Sequence, residues 1–149
     1  MIVKIWFFSG TEVSNDARPP SFAWPVRVYY EDTDAGGVVY HANYLRFLER
    51  ARTEWLRARG WGQTRLREHD GTGFVVANMS IRFLRPARLD DALVATVAVT
   101  GRRRVSLDFA QTLVAADDPS TVYVEAEVQV ACVDLDRMRP RRLPEFLSQ

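Results

Sequence analysis

The sequence predicts an α+β domain in which an antiparallel sheet of about five strands wraps one long helix. Two observations carry this. One stretch near residues 43–57 has helical spacing, and four long segments after residue 74 alternate with a period of two. A third bounds it: the 149 residues contain no internal repeat and no low-complexity block, so one compact domain is expected.

The chain opens MIVKIWFFSGTEVSNDARPP, where one lysine precedes a short apolar run that Gly10, Thr11 and Glu12 interrupt. No small-residue cleavage pattern follows, which argues against a signal peptide. Ser14 to Pro20 is polar and rich in proline, so residues 1–23 read as a loosely ordered extension and 24–149 as the domain. Val26 to Tyr30 is β-branched and aromatic, a first strand. From Asn43 the period changes: Tyr44, Phe47, Leu48, Ala51 and Trp55 form one apolar stripe, with Arg46, Glu49, Arg50 and Arg57 elsewhere on the cylinder. This predicts an amphipathic helix of about four turns that ends near Gly60.

Phe74 to Leu84 reads as the next strand, stopped by Pro86. Leu93, Ala95, Val97 and Val99 alternate along another, which Gly101 is expected to break. Val105, Leu107, Phe109, Leu113 and Ala115 make one face of a third, and Asp117 to Ser120 is a strong turn. In the last strand Val122, Val124, Ala126, Val128, Val130 and Cys132 oppose Tyr123, Glu125, Glu127 and Gln129. Such alternation implies antiparallel pairing with one buried face. The tail RPRRLPEFL is expected to close over an edge.

Composition removes several function classes. With 47% hydrophobic and 11% aromatic residues the chain can build its own core. Twenty basic residues against nineteen acidic ones leave a net charge of +1, without the footprint of a nucleic-acid or membrane-surface binder. No window reaches the ~18 to 20 apolar residues of a membrane span, so a soluble, cytoplasmic protein is expected. The single cysteine, Cys132, excludes an intrachain disulfide and a CxxC metal knuckle, and sits on an apolar strand face that reads as core.

The unusual chemistry is concentrated in YYEDTDAGGVVYHANY, residues 29–44. There is no GxSxG, Walker A, GxGxxG or HExxH pattern. Asp34, Gly36, Gly37 and His41 remain. The glycines permit a tight turn and close approach to a ligand, and the segment runs into a helix start whose free N–H groups suit an oxyanion. An acid upstream of such donors fits a nucleophile or general base. Equally, Asp before Gly is an ordinary turn signal, His41 could serve as a turn hydrogen-bonder, and Asp32 could simply begin the turn. A metal site is disfavoured because the cluster has one imidazole and no regular ligand spacing. Arg102, Arg103 and Arg104 form a basic run that is a hairpin tip or an anion site, and Arg82, Arg85 and Arg88 form a weaker one.

EDTDAGGVVYHANYLRFLERARTEWL resembles the active-site signature of the hotdog-fold 4-hydroxybenzoyl-CoA thioesterase group, closest to its branch associated with the Tol-Pal envelope system. The similarity continues through FVVANMSIRFLRPARLDDAL, VEAEVQVACVD and RMRPRRLP, covering Trp24 to Pro144. The resemblance implies an acyl-CoA thioesterase that releases free acid and coenzyme A without a metal or redox cofactor. It places the catalytic carboxylate on Asp34, the oxyanion donors on the backbone of Val39, Tyr40 and His41, and a substrate-positioning role on His41. Gly36, Gly37, Arg103 and Arg104 become the substrate and coenzyme A contacts. It also implies a homo-oligomer, a dimer assembled further into a tetramer, with each active site at a subunit boundary. An acyl carrier protein is a possible further partner under this reading. The alternatives are an acyl-carrier or envelope-complex binding module with incidental hydrolysis and, more weakly, a hotdog hydratase.

Overall fold

The structure, a computed structural model, describes the backbone of residues 3–7 and residues 22–148 in full. Among the described residues seven strands form one sheet: β1 (Val3–Phe7), β2 (Phe22–Arg27), β3 (Thr72–Phe83), β4 (Ala92–Arg102), β5 (Ser106–Ala115), β6 (Val122–Asp134) and β7 (Arg139–Pro140). Their order is β1-β3-β6-β5-β4-β2, with the two-residue β7 beside β6. Every pair is antiparallel except β1 with β3. The four long strands anticipated from the alternation are β3 to β6, and the short first strand expected before the helix corresponds to β2 at shifted bounds. Among the described residues three helices accompany them rather than one: α1 (His41–Arg57), α2 (Gln63–Asp70) and α3 (Glu145–Ser148).

The apolar stripe of α1 buries Tyr44, Phe47, Leu48, Ala51, Trp55 and Leu56. Tyr44 meets Phe83 of β3 at 5.6 Å between ring centroids, and Trp55 meets Phe109 of β5 edge-on at 5.2 Å. The inward positions of β4, β5 and β6, among them Leu93, Val97, Leu107, Leu113, Val124 and Val128, complete the core. One inward position is polar. Gln111 is fully buried, and its amide donates to the Leu48 and Thr96 carbonyls, tying α1 to β4 through β5.

Several local expectations need correction. The first strand of the domain is Phe22–Arg27, not Val26 to Tyr30. Beyond Arg27, the Asp32 carboxylate accepts the Tyr29 amide and coils Tyr30–Asp32 into a 3-10 turn. Pro25 is tolerated because β2 is an edge strand. Gly101 does not end β4. It sits where the β4–β5 register shifts between Val99 and Gly101, and a Cβ there would lie 2.7 Å from an Asp108 carboxylate oxygen. Of the extension expected over residues 1–23, Val3–Phe7 pairs with Met79 to Phe83 and Phe22 and Ala23 belong to β2, while residues 8–21 lie outside the described residues. The tail does pack: Phe146 stacks on Trp61 at 4.7 Å and Leu147 is buried.

Candidate functional site

The acid cluster forms a closed loop between β2 and α1. Thr33 bridges Val39, the Asp34 amide donates to the Val38 carbonyl at 2.9 Å, and the Gly37 amide donates to the Asp34 carbonyl at 3.0 Å. Gly37 has φ +73°, the left-handed conformation that glycine adopts without steric cost. Asp34 projects from this loop into solvent. Its Oδ1 accepts the Gly36 amide at 2.8 Å, while Oδ2 has no protein partner among the described residues. The backbone holds one carboxylate oxygen and leaves the other open. Asp32 is different in kind: it is buried, and its two oxygens accept from the Tyr29 amide (2.8 Å) and Asn43 Nδ2 (3.1 Å). That is a structural clamp.

Two of the anticipated oxyanion donors are already engaged. The Val39 amide donates to the Ala87 carbonyl and the Tyr40 amide to the Asp32 carbonyl, both at 2.8 Å. His41 opens α1, so its amide and that of Ala42 fall in the first turn, where no intrahelical acceptor exists. No side chain caps this end and its first turn contains no acid, so these donors carry the helix's partial positive charge unneutralised. The His41 ring is exposed against Tyr40 at 4.5 Å, and no hydrogen bond joins it to Asp34. Behind the loop, the Tyr44 hydroxyl accepts the Ala87 amide at 2.9 Å. Burial chiefly, with the charges of Asp91 and Asp34 adding, pushes the Tyr44 phenol upward and keeps it protonated.

The basic run lies elsewhere. Arg102, Arg103 and Arg104 are exposed and share a depression with Arg142 and Ser148. Arg103 is partly neutralised by Asp108 at 3.3 Å, whereas Arg142 is delivered by the tail through the Leu143 amide, which donates to the Arg104 carbonyl at 3.0 Å. Arg142 was not singled out in the sequence; its signal was the RPRRLP segment. The patch borders the C-terminal end of α1. Arg59 lies over the Trp55 ring at 4.0 Å, and its guanidinium is lowered by burial and then by the like charge of Arg102. Asp34 sits before the other end of this 17-residue helix, about 25 Å long at 1.5 Å per residue. Within one chain, the structure does not bring the carboxylate and the arginines together. The Arg82, Arg85 and Arg88 run does not form a cluster of free cations: Arg82 is paired with Glu125 at 3.0 Å.

A third feature shares the arginine end of α1. A cavity of about 140 Å³ opens between Trp55, Leu56 and the inner faces of β3, β5 and β6. Among the described residues, no group of three or more His, Cys, Asp or Glu side chains is placed to hold a metal, and no helix is long and apolar enough to cross a membrane.

Residues 28–149 match the model of the thioesterase-like superfamily. The acyl-CoA thioester hydrolase YbgC of Escherichia coli O6:H1 is 52% identical over 126 residues, 85% of this chain and 92% of that protein. The acyl-CoA thioesterase YbgC of Haemophilus influenzae is 46% identical over 124 residues, covering 83% and 89% of the two chains. Among solved structures, the probable thioesterase from Bartonella henselae superposes with a TM-score of 0.76 at 37% identity, over 82% of this chain and 98% of that one.

Proposed function

We propose, for a chain that belongs to the thioesterase-like superfamily and is a thioester hydrolase of the hotdog fold, that its substrate is an acyl-CoA and that Asp34 is its catalytic carboxylate. The observation that carries this is the split role of that side chain: Oδ1 is fixed by the Gly36 amide and Oδ2 is open beside an uncapped helix start. Oδ2 supplies the electron pair, either directly to the thioester carbonyl carbon or through a water whose proton it takes. As the C–O bond forms, the carbonyl oxygen gains charge and is met by the His41 and Ala42 amides. The tetrahedral centre then collapses, the C–S bond breaks, and coenzyme A leaves as thiol once its sulfur takes a proton. If Asp34 itself attacks, water cleaves the resulting anhydride and restores the carboxylate.

Arg102, Arg104 and Arg142 suit the phosphates of coenzyme A. Because they sit about one helix length from Asp34 of the same chain, the working unit is a pair of copies related by a two-fold axis, with α1 of one antiparallel to α1 of the other. Each Asp34 loop then faces the arginine end of its partner. His41 lines the mouth of this shared site. Hydrolysis of an acyl-CoA panel with short, long and aromatic acyl groups, followed by free-thiol release, tests the activity. Turnover that depends on the acyl group supports it, and a uniform trace rate would favour a binding module. In a single turnover in ¹⁸O-water, label in the Asp34 carboxylate marks direct attack followed by hydrolysis of the anhydride at the Asp34 carbonyl carbon, while trapping of an acyl-Asp34 adduct marks direct attack whichever carbonyl the water takes.

A further inference from the structure

A segment far along the chain holds both ends of the Asp34 loop. Between Ala87 and Asp91, just before β4, backbone bonds reach Val28 on one side of the loop and Val39 on the other. The Val28 amide donates to the Asp91 carbonyl and the Asp90 amide to the Val28 carbonyl, both at 3.0 Å. The Val39 amide donates to the Ala87 carbonyl at 2.8 Å. Val28, Val39 and Ala87 are buried, so a partner lost here leaves a polar group without water to replace it. Asp90 holds a φ of +70°, in the left-handed region that a side chain enters at a cost, and such strain persists where the surroundings fix the chain.

Ala87 is itself held by Tyr44, the fourth residue of α1, whose hydroxyl accepts the Ala87 amide at 2.9 Å. One buried residue thus donates to the helix and accepts from the loop. The Tyr44 ring is packed edge-on to Phe47 at 6.3 Å and tilted against Phe83 at 5.6 Å. That packing needs only the ring, and phenylalanine would supply it, so the hydroxyl is spent on Ala87. Asp32 and Asn43 join the loop to α1 directly, whereas Tyr44 joins it by way of the segment before β4. We infer that Tyr44 is a positioning residue for the hydrolysis: through Ala87 and Val39 its hydroxyl sets the distance between the open oxygen of Asp34 and the His41 and Ala42 amides. This rests on the thioesterase reading given above. Val39 stands two residues before His41 and bridges Thr33, the neighbour of Asp34, so a displaced Val39 amide moves carboxylate and donors relative to each other.

Tyr44→Phe removes one oxygen and keeps the ring. Its kcat for an acyl-CoA that wild type hydrolyses should fall about ten- to a hundredfold, because a misplacement of about 1 Å costs on the order of 10²-fold. KM should stay within about twofold, since the arginines that suit the phosphates lie a helix length away. Amide exchange followed by NMR should quicken at least about tenfold at Val39 and Ala87, while Leu113 and Val124 in the core exchange as in wild type. Lactic acid in place of Ala87 deletes the N–H at the other end of the same bond. It should give the same loss of kcat, and adding Tyr44→Phe to it should lower kcat no further. A folded Tyr44→Phe protein with kcat within about twofold of wild type, or with its loss carried by KM, overturns the inference. Exchange that quickens equally at Leu113 and Val124 also overturns it, because that marks a structural role alone. Should Tyr44→Phe not fold, an unchanged kcat in the lactic-acid variant overturns it instead. Failure of wild type to hydrolyse any acyl-CoA would strike the thioesterase reading itself.

Discussion

Asn43 Nδ2 donates to the buried Asp32 Oδ1 over 3.1 Å, joining the first turn of α1 to the loop that carries Asp34. The Tyr29 amide on the other Asp32 oxygen and the Tyr40 amide on the Asp32 carbonyl close the same clamp. Carboxylate and helix start are therefore set by one buried group.

Asn43→Ala should leave a buried carboxylate oxygen unpaired and cost about 1–3 kcal/mol in denaturant unfolding. A double-mutant cycle with Asp32→Asn should return a coupling energy of about 0.5–3 kcal/mol. Additive single effects would show that the clamp does not hold the loop.

Gly36 and Gly37 should separate activity from stability. A Cβ on Gly36 would stand 3.1 Å from Asp34 Oδ1, so Gly36→Ala should displace the carboxylate and lower kcat several-fold, up to about 10². Nothing lies near a Cβ on Gly37, but its φ of +73° makes Gly37→Ala cost about 1–2 kcal/mol in unfolding.

The arginines should act on KM and not on chemistry. Arg104→Ala and Arg142→Ala should each raise KM for acyl-CoA several-fold, and added salt should do the same to wild type. A truncated thioester of N-acetylcysteamine, which has no phosphates, should be insensitive to both. Arg103→Ala should have a smaller effect, since Asp108 already offsets that charge.

Cys132 should be chemically silent in the native state. It is fully buried, and burial first pushes its thiol up to about 11, with its sulfur donating to the Arg142 carbonyl. Iodoacetamide at pH 8 should label it only after unfolding. Because the folded value lies above the ordinary one of 9.0, the contribution to stability is complete below pH 9 and is lost as pH rises toward 11.

What could be read along the chain was periodic. The stripe of α1 and the alternation of β3 to β6 are local patterns, and burial follows them. Helix α2 escaped because it buries one apolar residue, Leu66, too few to register a period. Gly101 signalled a break because a bulge and a strand end look alike from one strand alone; the difference is its partner Asp108. Of the three amides expected as oxyanion donors, those of Val39 and Tyr40 are engaged within the chain, and the sequence did not reveal this for the same reason. What removes Val39 is the carbonyl of Ala87, far along the chain, and no local pattern reports that pairing. The tight turn at Asp34, Gly36 and Gly37 was legible because turn chemistry is local. The separation of Asp34 from the arginines by the length of α1 was not.

Steady-state hydrolysis by Asp34→Ala tests most directly whether the open oxygen of Asp34 performs the chemistry. With the loop's backbone bonds intact, the melting temperature should stay near that of wild type while kcat falls about 10²- to 10⁴-fold. An Asp34→Ala protein that is folded and turns over an acyl-CoA within a few-fold of wild type would contradict the account.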